Sequence, residues 1–295
     1  MNYHIGVFGQ PGSSKSTVGL SFPGVEQHVF GSSEEFTAIN FSHRKDILPP
    51  LKWDWIEFLT PEEKVTLFKE ETPDTSADNL KKLAVARKIK KYRRYIMQLS
   101  DELRSGKRPE LKTVFLDNGT PFFEQFRDYI DVVHEKKFLT KEGNYDSIKA
   151  SMVFADEVGD FLELFNSLPC HTVMSFHVAM AVDEETAAKV NFLTDAKNGI
   201  KYAKEFNPMI SGRVKYSLAG KFDFAFFLST EENPGQANKY IAKLEADSAN
   251  VGIAKGRIQP FPKGGRIELP NGTFFQFLED AIQKKIGVKP EEIKK

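Results

Sequence analysis

Cysteine is nearly absent from this chain: Cys170 is the single one in 295 residues. One thiol excludes an internal disulfide framework and suits a reducing compartment. It lies in Leu168-Pro169-Cys170-His171, just before an apolar run, where a small core residue is the reading and a nucleophile the alternative. Net charge is also missing. Lys+Arg number 41 and Asp+Glu number 41, so overall charge favours neither nucleic acid nor a membrane, and only local clusters carry information. No run of about 18 apolar residues occurs, which excludes a helical membrane span. The N-terminus lacks a basic stretch followed by an apolar core, so no targeting leader is expected and the expected location is cytoplasmic. Repeats and low-complexity tracts are absent too.

What is present reads as alternating strands and helices. Tyr3-His4-Ile5-Gly6-Val7-Phe8 is a short buried strand, and a helix is expected from about Ser14 to the breakers Pro23 and Gly24. Gln27-His28-Val29-Phe30 is a second strand candidate. Residues 41–79 carry Pro49, Pro50, Pro61 and Pro73 with both tryptophans, and read as an insertion with one short helix near 61–71. Leu80, Leu83, Ala84, Ile89, Tyr92, Ile96, Leu99 and Leu103 give helical spacing over 77–105. Thr113-Val114-Phe115-Leu116-Asp117 is a buried strand ending in a carboxylate. Helices follow near 120–136 and 147–167, then the strand His171-Thr172-Val173-Met174-Ser175-Phe176, ending at His177. Residues 221–228 and 239–244 read as a hairpin about Asn233-Pro234-Gly235, and a last helix fits 274–286. The 26 phenylalanines fall mostly in these periodic segments and are expected to fill the core. The fold class expected is α/β: one domain over 1–295 with 41–79 inserted, a mostly parallel central sheet flanked by helices, an antiparallel extension at one edge, and a C-terminal helix and tail over 267–295.

The segment between the first strand and first helix carries the chemistry. Gly9-Gln10-Pro11-Gly12-Ser13-Ser14-Lys15-Ser16-Thr17 follows the phosphate-loop (Walker A) pattern G-x-x-x-x-G-K-[ST], with Ser14 in place of the second glycine. Such a loop aims backbone N–H groups at a β-phosphate. Lys15 neutralises phosphate oxygens, and the Ser16 hydroxyl ligates Mg²⁺. Asp117, ending an apolar strand, is the natural second Mg²⁺ carboxylate, acting through water. Residue 118 is Asn, so the acid that often follows that Asp and activates water is missing. Glu34 and Glu35, after the second strand, are the candidate bases; solvated loop acids are the plain alternative.

The order of these features resembles the phage-encoded RecA-like ATPases, a group that includes the single-strand annealing proteins of phage recombination. The resemblance rests on the N-terminal phosphate loop, Glu34 or Glu35, Asp117, His177, Asn207-Pro208-Met209-Ile210-Ser211-Gly212-Arg213-Val214, Phe222-Asp223 and Lys255-Gly256-Arg257. It covers most of the chain outside 41–79. It implies a RecA-like P-loop NTPase that holds ATP and Mg²⁺, hydrolyses ATP and works with single-stranded DNA in recombination, annealing or replication, in the host cytoplasm. Glu34 or Glu35 would orient the attacking water, and His177 would sense the γ-phosphate. Lys255 and Arg257 would reach a neighbouring subunit's ATP, making the protein an oligomer with nucleotide between protomers. A hydrogen-bonded strand-end histidine and a solvated basic turn are the plainer readings of those last residues.

Residues 81–94 hold eight basic and no acidic side chains: Lys81, Lys82, Arg87, Lys88, Lys90, Lys91, Arg93 and Arg94. Such a stripe gives salt-sensitive phosphate binding, and Tyr92 and Tyr95 offer base stacking. A solvated helix face is an equal reading of the residues alone. A second basic cluster, Lys255, Arg257, Lys263 and Arg266 with Phe261, lies near the C-terminus. Two other functions share the loop: a monomeric nucleotide kinase, for which no arginine-rich lid is evident, and a nucleotide-binding interaction protein with little hydrolysis.

Overall fold

The computed structural model describes residues 2–31, 44–53, 77–134, 138–140, 143–181, 205–210, 214–231, 238–244, 254–256, 265–269 and 274–286. The chain is a mixed α/β protein with a mostly parallel sheet flanked by helices. Strand order is β10 (Arg266–Glu268), β8 (Lys239–Lys243), β7 (Phe224–Glu231), β1 (His4–Gly9), β5 (His171–Ala181), β4 (Thr113–Asp117), β2 (Val25–Val29) and β3 (Leu51–Lys52), with β6 (Glu205–Pro208) on β5 and β9 (Lys255–Gly256) on β7. The chain divides into two compact units: Met1–His4, Pro23–Met174 and Ile210–Val214 form the first, and Ile5–Phe22, Ser175–Met209 and Lys215–Lys295 the second.

In the first unit β2 (Val25–Val29) lies between β4 (Thr113–Asp117) and the short β3 (Leu51–Lys52), all parallel. Parallel pairing of Thr113 with His171 through Leu116 with Met174 adds the start of β5 (His171–Ala181). Among the described residues three helices belong to this unit. Helix α2 (Ala77–Arg104) buries Ile89, Tyr92, Ile96 and Leu99 at spacings of three and four. Helix α3 (Gly119–His134) buries Phe122, Phe123, Phe126 and Ile130. Helix α4 (Ser147–Asn166) buries Phe154, Phe161 and Phe165 and is capped by Asp146, whose side chain accepts from the N–H groups of Ile148 and Lys149. Their phenylalanines meet in one aromatic cluster: Phe122 lies 4.6 Å from Phe161 and 5.5 Å from Tyr92. Each such ring removed from water contributes roughly 1.5–3 kcal/mol, which is what the abundance of phenylalanine does here. Trp53, from the stretch read as an insertion, is buried 4.6 Å from Tyr92, and its backbone N–H donates to the Val29 carbonyl at 3.0 Å.

In the second unit β1 (His4–Gly9, its first residue belonging to the first unit) runs parallel to β7 (Phe224–Glu231), Ile5 opposite Phe224 and Gly9 opposite Leu228. Antiparallel strands follow on that side. β8 (Lys239–Lys243) pairs with β7 and β10 (Arg266–Glu268) with β8, forming the expected edge extension. β9 (Lys255–Gly256) pairs with the start of β7, and β6 (Glu205–Pro208) with the far end of β5. β7 starts at Phe224 rather than 221 because a 3-10 turn, Leu218–Lys221, follows the one-turn helix α5 (Val214–Ser217). Helix α1 (Lys15–Leu20) is short, and α6 (Phe274–Ile286) lays Phe275 on Phe22 at 4.8 Å and Phe274 on Phe226 at 5.2 Å.

Candidate nucleotide-binding site

In the second unit the chain leaves β1 at Gly9 and enters α1 at Lys15. Glycine is obligatory at the first position. A Cβ on Gly9 would come within 2.2 Å of Ser13 Oγ and 2.8 Å of the Leu228 carbonyl oxygen. Gly12 has φ +78° and Ser14 has φ 66°, ψ 25°, so the loop takes two left-handed residues before the helix begins. The phosphate-loop pattern places glycine at the second of these because L-residues take that conformation at a cost of roughly 1–2 kcal/mol. Ser14 departs from the pattern in residue type while adopting the backbone conformation that glycine favours. Its side chain makes no capping hydrogen bond.

Lys15 is folded back over the loop. Its ammonium donates to the carbonyls of Gly9 at 3.0 Å and Gln10 at 2.7 Å, and the residue is buried. The Ser13 N–H donates to the Gln10 carbonyl at 3.2 Å, closing the turn. The Ser13 hydroxyl is buried and has no hydrogen-bond partner among the described residues. Gln10, Pro11, Gly12 and Thr17 are exposed, and Ser16 is half-buried. The loop thus sets one buried ammonium beneath an exposed rim.

His177 belongs to the same unit. Tyr3 meets His171 and Phe8 meets Phe176, five residues further along both strands, so β1 and β5 run in the same direction. Gly9 and His177 each follow one member of the Phe8–Phe176 stack, whose centroids are 5.0 Å apart. His177 is half-buried, and its carbonyl accepts from the Met209 N–H at 2.9 Å. Lys255 opens β9 opposite Ala225. Glu34, Glu35 and Arg257 lie outside the described residues, as does the helix expected near 61–71.

In the first unit Asp117 ends β4 and is buried. Gln27, on the neighbouring strand, donates from Nε2 to Asp117 Oδ2 at 2.9 Å. Asn118 serves the local backbone. Its Oδ1 accepts from the Thr120 N–H at 2.8 Å at the start of α3. Asn, like Asp, is among the best residues for such a cap.

Burial corrects the expectation that Tyr92 of the basic stripe stacks bases. Tyr92 is fully buried, and its hydroxyl lies 2.9 Å from His28 Nδ1. Tyr95 donates to Glu26 Oε1 at 2.7 Å. Helical periodicity turns both toward the sheet, while Lys90, Lys91 and Arg94 remain exposed and Arg93 pairs with Glu157 at 2.8 Å. Glu26 also accepts from His28 Nε2 at 3.0 Å and from Arg108 at 2.7 Å. Burial alone would raise this carboxyl, but the hydrogen bonds from His28, Arg108 and Tyr95 outweigh it and hold the pKa at about 2. Cys170 is buried as expected, and burial pushes its thiol up to about 12, so it is no nucleophile at neutral pH.

No protein-family model matches this chain, and no curated protein matches it. Sequence reading missed Gln27 and the Glu26–His28 network because Val25-Glu26-Gln27-His28-Val29 is wholly buried yet polar at its centre, against the usual composition of a buried strand. The available signal was the valine at each end, at spacing that keeps both on one face with Gln27.

Proposed function

We propose that this protein is a RecA-like P-loop ATPase that binds ATP with Mg²⁺ through residues 9–17 and acts with single-stranded DNA, in phage recombination, annealing or replication. The observation that carries the reading is the backbone of the loop. Gly9 leaves no room for a side chain, Ser14 holds the left-handed conformation of the missing glycine, and Lys15 covers the loop's own carbonyls.

By residue type, Ser16 and Asp117 suit Mg²⁺ held together with phosphate. Among the described residues no group of three or more His, Cys, Asp or Glu could form a metal cage. Mg²⁺ at a nucleotide needs only one or two protein oxygens besides phosphate and water, and Ser16 and Asp117 are the residues that would supply them. When bound, Mg²⁺ would neutralise charge on the β- and γ-phosphates. Lys15 would leave the carbonyls of Gly9 and Gln10 for phosphate oxygens, and His177 would contact the γ-phosphate. Glu34 or Glu35 would orient water, and Lys255 and Arg257 would complete the site of an adjoining subunit. Among the described residues no helix is long and apolar enough to cross a membrane.

A second reading, a nucleotide-dependent interaction protein with slow turnover, draws on Asn118, which caps α3. Phosphate release measured with and without single-stranded DNA separates the two. DNA-stimulated release that is lost in Lys15→Ala supports the ATPase; ATP bound without release supports the switch.

A further inference from the structure

We propose that Gln27 is a positioning residue for the Asp117 carboxylate, holding it in the orientation that receives Mg²⁺; this rests on the nucleotide reading above. In the β2–β4 pair Gln27 lies opposite Phe115 and Val29 opposite Asp117. Alternate residues of a strand share a face, so Gln27 and Asp117 project from the same side two positions apart. The Gln27 side chain spans that step and donates to Oδ2 at 2.9 Å, with both residues buried. The carboxylate is an acceptor only, which fixes the Gln27 nitrogen as the donor.

The chemistry of the donor matters. A Lys or Arg at residue 27 would neutralise Asp117 and weaken its attraction for a cation. An amide satisfies one carboxylate oxygen and restricts its rotation without bringing a positive charge of its own. Outer partners of this kind, which orient a ligating group without touching the metal, typically account for a 10- to 100-fold difference in metal affinity. Glu26 and His28, the strand neighbours of Gln27, are committed on the opposite face to Tyr92, Tyr95 and Arg108. Gln27 is therefore the residue of β2 given to Asp117.

The test uses the full-length chain and a fluorescent ATP analogue, titrated in EDTA and then at rising Mg²⁺. Gln27→Met keeps the volume and removes the donor; Gln27→Asn keeps the amide but withdraws it by one methylene. Thermal melts establish that each is folded, and either one alone suffices for the test. The expected result is nucleotide affinity in EDTA within about twofold of wild type, with the Mg²⁺ concentration for half-maximal effect raised about 10-fold or more, in the same direction as Asp117→Asn. Mn²⁺ bound with the nucleotide, followed by its electron paramagnetic resonance, should weaken in parallel. Wild-type Mg²⁺ dependence in a folded Gln27 variant, with Asp117→Asn shifted, overturns the positioning role and leaves the nucleotide site standing. Failure of the wild type to bind the analogue, or equal binding by Lys15→Ala, overturns the nucleotide reading and this inference with it.

Discussion

Ser14 holds a left-handed conformation that L-residues seldom take, and its side chain gives no cap to α1 in return. Ser14→Gly should therefore raise stability by up to about 1 kcal/mol, read by urea unfolding; a loss would mean that the serine side chain supports the loop. Asn118 is the opposite case, a side chain whose local bond accounts for its presence. Asn118→Ala should cost about 1 kcal/mol through loss of the α3 cap, and Asn118→Asp should retain most of it. Lys15 is the residue on which the proposed binding depends. Removing a charged donor to phosphate should weaken ATP about 10- to 100-fold in Lys15→Ala, while the folded chain keeps its helical signal.

At the scale of elements, β2 and α2 show where the sequence was readable and where it was not. The β4 and β5 strands and the helices α3, α4 and α6 announced themselves by short stretches rich in apolar residues or by phenylalanines at helical spacing, and their ends fall within a few residues of expectation. β2 was expected over 27–30 and lies at Val25–Val29, but the partners of Glu26, Gln27 and His28 were not legible, because these polar residues are buried by distant segments that one strand's composition cannot reveal. β3 was hidden by its proline-rich surroundings. The Glu26 network gives β2 a pH signature. Its carboxyl is held at about 2 against an ordinary 4.5, so the unfolded chain takes up the proton first as pH falls. The stabilisation, on the order of 3 kcal/mol, is complete above pH 4.5 and is lost on descending toward pH 2. His171 acts earlier. Burial, with the charges of the N-terminus and His4, lowers it from 6.5 to about 4, and its Nδ1 accepts from the Tyr3 N–H at 3.1 Å, which requires the unprotonated nitrogen. Stability should begin to fall below pH 6.5 from His171 and fall further below 4.5 from Glu26; melting temperature against pH should lose the lower step in Glu26→Gln. The exposed row on α2 predicts salt-dependent binding. Reversing Lys90, Lys91 and Arg94 to Glu should weaken single-stranded DNA and flatten the dependence of log K on log salt by about 0.7 per lost phosphate contact. An unchanged slope would make α2 a plain solvated face.

At the scale of the whole molecule, the loop and the carboxylate strand were legible because each is a local pattern, a strand closed by a chemically marked end. The Gln27–Asp117 bond was not, since cross-strand partners arise only when the chain has folded. Everything proposed for this protein depends on residues 9–17 holding ATP, and calorimetric titration of Mg-ATP into the full chain and into its Lys15→Ala variant tests that most directly. The expected result is one nucleotide bound per chain in the wild type and binding at least about 10-fold weaker in the variant. Equal affinity in the two proteins, or no heat of binding in the wild type, would contradict it.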